Sequence, residues 1–235
     1  MSKVLDDKII KQFKWYFKKG YITHRDGNAA YRVHGGYAVT ASGIVKNNIK
    51  RTDFITVNAK GNVLESYGGK KPSIETGAHI ALLETSGKNA SVHVHSPNTV
   101  ALAALYDNRI ANGNRFKPRA THLVETLNRY WPELFRYTKV GYIVPFVEPG
   151  SKKLHDLILS HMEYWTEEYI LDQNNEPIDS KDVKRVKDIC IMQKHGVIAV
   201  GDTLEECLEH IVRLEHVCTI LLKIVTASGN LESIL

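Results

Sequence analysis

Two histidines alternate in the stretch "NASVHVHSPNTVALAAL", residues 89–105. Such a run reads as a β-strand, in which residues two apart share a face, so Ser91, His93 and His95 point one way and Val92 and Val94 the other. The valines can enter a core, leaving two imidazoles about 7 Å apart, close enough for both to reach one metal ion. Taken alone, a His-x-His pair is better read as two hydrogen bonds at a strand end, because a catalytic zinc centre needs three protein ligands and an open position. Two further residues supply what is missing. His195 stands in "QKHGVIAVG", at a turn between two apolar strands, where Gly196 permits an unusual backbone angle. Glu75 follows Pro72 and Ser73 at a helix start, where an ionised carboxylate is favoured. Each has an ordinary alternative: a surface histidine at a turn, and a charge that complements a helix dipole.

The elements that must position these groups follow from pattern. Residues 5–19 space Ile9, Ile10, Phe13, Trp15 and Phe17 among lysines and stop at Gly20, as an amphipathic helix does. Residues 31–63 break into short β-type runs separated by "HGG" and "KGN". The segment "KPSIETGAHIALLETSG" predicts a helix capped at Pro72–Ser73 and ended by Gly87. The histidine strand, a helix over 98–105 and another over 121–130 come next. Then follow strand-like "GYIVPFV", a helix over 152–164, and "DQNNEPIDSKD" as a polar loop. Strands "DICIMQ" and "VIAV" flank His195, and Thr203 with Glu206 forms a capping box ahead of a final amphipathic helix. Interleaved helices and strands predict a layered α/β chain, read as one domain over 1–235.

Taken in order and spacing, "KPSIETGAHIALL", "ASVHVHSPNTVALAAL" and "QKHGVIAVGDTLEECLEHIVRLEHVC" resemble the class II aldolase and adducin-head family. That family includes fuculose-phosphate and rhamnulose-phosphate aldolases and a ribulose-phosphate epimerase. "DGNAAYRV" and "GYAVTASGIVKNNIKRTDFITVNAKGNV" resemble its Gly-Asn segment and its Thr-x-Ser-Gly strand and loop. The resemblance implies a three-layer α/β/α sandwich with a largely antiparallel central sheet. It implies a catalytic divalent metal, usually Zn2+ (alternatively Mn2+ or Co2+), held by His93, His95 and His195, with Glu75 moving the substrate proton. It places the phosphate pocket at Gly27, Asn28, Ser42, Gly43 and Ser73. It implies a homotetramer with active sites between subunits, in which a neighbouring tyrosine donates a proton; Tyr137 is the placement here, a core or interface tyrosine the alternative. The chain departs from the pattern at Ile74, where the sugar-phosphate aldolases carry a hydroxyl beside the glutamate, and in added length near 107–133 and 172–187.

The implied chemistry is cleavage or formation of a carbon-carbon bond in a small ketose phosphate or related hydroxy-ketone, through a metal-stabilised enediolate. The same site could instead run epimerisation, decarboxylation or dehydration, and the fold also serves a non-catalytic adducin-like interaction module. Absence of His-Glu-x-x-His argues against a zinc peptidase. Of the other histidines, His79 suits packing or support of the site. His122, His155, His161, His210 and His216 are expected to be solvated or locally satisfied. The net charge of +5 is dispersed, without the clustered basic and aromatic residues of a nucleic-acid protein. No run of about 18 apolar residues suggests a membrane span. Cys190, Cys207 and Cys218 are odd in number and lie in apolar segments, as buried thiols of a cytoplasmic protein would.

Overall fold

The computed structural model describes residues 3–111, 120–171 and 177–228. Along the chain these form α1 (Lys3–Lys19), β1 (Asn28–Val33), β2 (Gly36–Thr40), β3 (Phe54–Val57), β4 (Val63–Glu65), α2 (Thr76–Ser86), β5 (Ala90–Val94) and α3 (Pro97–Ala111). There follow α4 (Ala120–Tyr130), α5 (Pro132–Tyr137), α6 (Lys152–Met162), β6 (Glu163–Leu171), β7 (Pro177–Val186), β8 (Ile189–Met192), β9 (Gly196–Gly201) and α7 (Leu204–Ser228). Seven strands make one sheet in the order β4-β3-β2-β1-β5-β9-β8, and every neighbouring pair is antiparallel. β6 and β7 form a separate antiparallel ribbon.

Alternation along the strands builds both faces of the sandwich. Ala29, Tyr31, Val92, Val94, Val197 and Ala199 pack on one face with Phe13 of α1, Leu102 of α3, Leu127 of α4 and Leu214 of α7. The intervening residues face the other way: Ala30, Val39 and Ile55 meet Ile80 and Leu83 of α2, while Cys190, Met192, Ile198 and Val200 meet Leu82 of α2 with Ile158 and Met162 of α6. A sheet with helices on both sides is the expected three-layer α/β/α sandwich. Since Val92 and Val94 belong to the first face, Ser91 and His93 project toward α2 on the second.

Five local expectations are corrected, the last in one bond only. α2 begins at Thr76 rather than at Ser73, because a turn intervenes: the Thr76 N–H donates to the Ser73 carbonyl at 3.1 Å and the Glu75 N–H to the Ser73 hydroxyl at 3.3 Å. "GYIVPFV" is no strand; Val140 and Val144 make isolated parallel bridges to Ile189 and Met192 on the free edge of β8. The helix over 152–164 ends at Met162, and Glu163 opens the ribbon. Residues read as loop from 177 onward form β7, whose partner strand supplies hydrogen bonds that a polar sequence does not advertise; 172–176 lie outside the described residues. The capping box differs only in one bond: Glu206 N–H donates to Thr203 Oγ1 at 3.1 Å, but its carboxylate accepts from Asp202 N–H.

Candidate active site and metal centre

The site forms where the end of β5, the β8–β9 turn and the start of α2 meet. His93 is the penultimate residue of β5, and its Nδ1–H donates to the Val197 carbonyl at 2.8 Å, which leaves a lone pair on Nε2. His95 follows with its Nε2 3.0 Å from His93 Nε2. His195 rides on the β8–β9 turn, and the three rings have centroids 4.7–5.2 Å apart. One nitrogen from each lies within 4.8 Å of the others.

The turn works differently from the expectation. The left-handed residue is Lys194, with φ 57°, not Gly196. Glycine is required at 196 for closeness: a Cβ there would lie 2.4 Å from the Val94 carbonyl oxygen and 2.8 Å from the His93 ring. A side chain at 196 would therefore push His195 away from its two partners.

Glu75, only 6% exposed, sits at the N-terminus of α2 but makes no capping bond to it. Its carboxylate turns instead into the cluster, with Oε2 3.5 Å from His93 Nε2 and Oε1 3.3 Å from His195 Nε2. Asn28 holds it there: Nδ2–H donates to Glu75 Oε2 at 2.6 Å, and Asn28 Oδ1 lies 2.5 Å from His79 Nε2. His79 is fixed in turn by Ser91 Oγ at 2.8 Å. A continuous chain Ser91–His79–Asn28–Glu75 thus orients the carboxylate, the supporting role expected of His79.

Burial decides the protonation states. It pulls His93 and His195 below the ordinary imidazole range, His95 to about 4 and His79 to about 3, the repulsion of neighbouring imidazoles adding to it. Near pH 7 the three clustered imidazoles are neutral, the state in which they offer lone pairs to a metal. Burial also works against the charge on Glu75, but His93, the Asn28 bond, His195 and His79 outweigh it and hold the acid near 2. The ionised carboxylate is therefore available to take a proton. His195 Nδ1 is buried without a partner among the described residues. Three neutral imidazoles, one buried anion and an unmet polar atom are a donor set that fits a divalent ion.

The remaining expected residues fare unevenly. The Gly27 and Gly43 turns adopt φ of 74° and 68°. The amides of Ser42 and Ser73 are engaged by the Lys71 and Thr40 carbonyls, so only their hydroxyls remain for an anion, and Asn28 is committed to Glu75 and His79. Ile74 is 63% exposed beside Gly150. Tyr137 is 53% exposed under the Arg213 guanidinium and, among the described residues, makes no hydrogen bond or ring contact with the histidine cluster. His161 and His216 match expectation: one bonds the Leu157 carbonyl, the other is exposed. The His122 side chain lies outside the described residues. His210 is met locally, its Nδ1 3.0 Å from Thr138 Oγ1 and its Nε2 3.8 Å from Glu206 Oε1, whereas His155 buries an Nε2 without a hydrogen-bond partner among the described residues, against Gly77 of α2. The three cysteines are free and buried, and burial raises their thiols.

Sequence reasoning overlooked the Asn28–Glu75 bond, which joins residues 47 apart. It also overlooked Asp26, whose Oδ2 lies 3.6 Å from His95 Nδ1, and Lys46. Asp26 adjoins Gly27 and so carried a faint local signal.

The comparisons with known proteins agree with this geometry. The model of the class II aldolase and adducin N-terminal domain family matches residues 7–222, and the chain belongs to that family. A probable bifunctional methylthioribose-1-phosphate isomerase/methylthioribulose-1-phosphate dehydratase of Nocardia farcinica is 34% identical over 37% of this chain and 16% of its own length. A methylthioribulose-1-phosphate dehydratase of Leptospira borgpetersenii is 27% identical over 81% of this chain and 71% of its own. The matched stretch is thus a small part of the Nocardia protein and most of the Leptospira one. Among solved structures, the L-fuculose-1-phosphate aldolase of Thermus thermophilus shares the fold, with a TM-score of 0.66, 21% identity and 96% of both chains covered. Among the described residues no helix is long and apolar enough to cross a membrane.

Proposed function

We propose that this chain is a metal-dependent lyase that removes water from a phosphorylated ketose, methylthioribulose 1-phosphate being the substrate its relatives' names suggest. The observation that carries the chemistry is an ionised, buried Glu75 locked beside three neutral imidazoles. The preference for dehydration over aldol cleavage is supported by the dehydratase relatives; the fuculose-phosphate aldolase likeness bears on fold alone.

In this reading His93, His95 and His195 hold one divalent ion, zinc by the donor set. When bound, such an ion polarises a substrate carbonyl and the adjacent hydroxyl, which acidifies the carbon between them. Glu75 Oε takes the proton from that carbon, the third of the ketose. The C–H electron pair becomes a carbon-carbon double bond, and the hydroxyl on the fourth carbon departs with the proton that Glu75 returns, as water. The enol left behind tautomerises to a diketone, so atoms and charge balance without a further reagent. Aldol cleavage would begin from the same bound ketose but remove the fourth carbon's hydroxyl proton and break the bond between the third and fourth carbons. The position of Glu75 Oε relative to those two protons separates the reactions. Asn28 fixes that position, with His79 behind it.

The expected homotetramer with sites between subunits, with Tyr137 as a donor from a neighbouring copy and a cytoplasmic setting, belongs to this proposal; light scattering tests the assembly. The reaction is tested by offering methylthioribulose 1-phosphate and fuculose 1-phosphate to zinc-loaded protein. Loss of one water from the first, seen by mass spectrometry, is the expected result. Release of dihydroxyacetone phosphate from either would restore the aldolase reading.

A further inference from the structure

Lys46 is a buried cation that the chemistry above does not use. After β2 the chain turns at Gly43 and returns beneath residues 24–27, where the Lys46 N–H donates to the His24 carbonyl at 2.9 Å. The residue is 2% exposed, and among the described residues its ammonium makes a single hydrogen bond, to the Arg25 carbonyl at 3.3 Å. An ammonium has three donors, and burying it without an anionic partner is costly. Among the described residues no carboxylate is within ion-pair reach of it. Asp26, Asp53 and Glu75 act from farther away, and each has another partner: the Thr23 hydroxyl, Lys70 Nζ at 2.6 Å and Asn28 at 2.6 Å. Burial draws the lysine down to about 8, so it remains largely charged near pH 7.

The neighbourhood says what is missing. Gly43, three residues earlier, has its carbonyl held by Arg25 Nη1 at 2.8 Å, so a second cation flanks the same turn. The neutral donors expected for an anion here are largely engaged, as the Ser42 and Ser73 amides and the Asn28 side chain are, and Ile74 contributes none. The loop that follows the Gly43 turn, tied by Lys46 to the backbone of residues 24–25, thus carries a cation short of partners beside the expected phosphate cradle.

We propose that Lys46 is a specificity residue: its ammonium binds the substrate's phosphate and makes the site selective for phosphorylated over neutral ketoses. The inference rests on reading the substrate as a ketose phosphate. It gives a charged donor to a cradle that has one hydroxyl fewer than the sugar-phosphate aldolases of the resemblance.

The test is calorimetric titration of the zinc-loaded protein with inorganic phosphate and, separately, with neutral dihydroxyacetone, for wild type, Lys46→Met and Lys46→Arg. Phosphate affinity should fall about tenfold or more in Lys46→Met and recover in part in Lys46→Arg, while dihydroxyacetone affinity is unchanged in both. Lys46→Met should melt no lower than wild type, because an apolar chain replaces an under-partnered buried cation. Phosphate affinity within about twofold of wild type in Lys46→Met would overturn the inference. So would a wild type that binds no phosphate, or a Lys46→Met that loses melting temperature and dihydroxyacetone affinity together, since that pattern assigns the lysine to structure. These readouts need no turnover. A wild type that binds phosphate through Lys46 yet dehydrates nothing would refute the proposed reaction alone.

Discussion

Helix α2 carries a polar cluster at each end, and the two are built to opposite rules. At its C-terminus Arg32 donates from Nε to the Lys88 carbonyl at 2.9 Å, from Nη1 to Tyr37 at 2.7 Å and to Glu84 at 3.2 Å, and from Nη2 to the Leu83 carbonyl. Tyr37 donates to Glu84 as well. The guanidinium reaches the Leu83 carbonyl in the last turn, which the Gly87 N–H also meets, and the Lys88 carbonyl just beyond the helix. At the N-terminus Glu75 faces imidazoles that have lost their charge, His195 Nδ1 has no hydrogen-bond partner among the described residues, and two ring nitrogens face one another at 3.0 Å. A saturated cluster is a fastener. An unsaturated one, far more deeply buried, stands ready for something not of the chain.

The sharpest way to break this contrast is to remove the histidines. His93→Ala, His95→Ala and His195→Ala should each abolish stoichiometric zinc, measured by elemental analysis, and with it all turnover. A variant that keeps both removes that histidine from the centre. Glu75→Gln separates holding from reacting: it should retain zinc and lose about 10²–10⁴ in turnover. Undiminished turnover would remove Glu75 from the chemistry. Asn28→Ala leaves both reacting groups in place and frees the carboxylate, so a fall of about 10–100-fold in turnover with the zinc retained is expected.

Acid should also tell the two ends apart. In the metal-free chain His79 and His95 titrate near 3 and 4, below the ordinary 6.5 that the unfolded chain shows. Between those values the unfolded chain binds more protons, so stability is full above about pH 6.5 and declines as pH falls toward 4. Glu75, held near 2 against an ordinary 4.5, extends the decline below about pH 4.5 with the same sign. Thermal melts of metal-free protein at about pH 7 and about pH 5 check this, and equal melting temperatures would contradict the burial of neutral imidazoles.

How far the sequence spoke depended on range. His93 and His95 were legible because strand alternation ties their face to the burial of Val92 and Val94, a rule that operates within five residues. Their meeting with His195 and Glu75 was legible only through the order of motifs, since nothing local says that β9 pairs with β5. Gly196 was noticed for the wrong reason: a turn glycine suggests a left-handed angle, whereas closeness to the Val94 carbonyl depends on a strand a hundred residues away. Asn28 was legible only as a phosphate-pocket residue, through the resemblance; its bond to Glu75, and the burial of Lys46, depend on partners from distant segments. The ribbon of β6 and β7 was read as helix end and loop because "EYWTEEYIL" and "PIDSKDVKRV" carry no clean apolar alternation, and their pairing is mostly with each other.

The mildest test addresses the fastener itself. Arg32→Met keeps the length and the apolar stem but removes every guanidinium donor, leaving the Leu83 and Lys88 carbonyls at the end of α2 without it. The ion pair with a half-exposed Glu84 is worth little, and since the Gly87 N–H still donates to the Leu83 carbonyl, the cost lies chiefly at the Lys88 carbonyl, about 1–3 kcal/mol in all. Because the loss falls at the far end of the helix, where the chain from Ser91 to Glu75 does not reach, turnover per folded molecule should stay within about twofold of wild type. Chemical denaturation reads the first quantity and initial rates at saturating zinc the second. If the rate collapses while the fold holds, the C-terminal cluster positions Glu75 through α2, and the division between fastener and site is wrong.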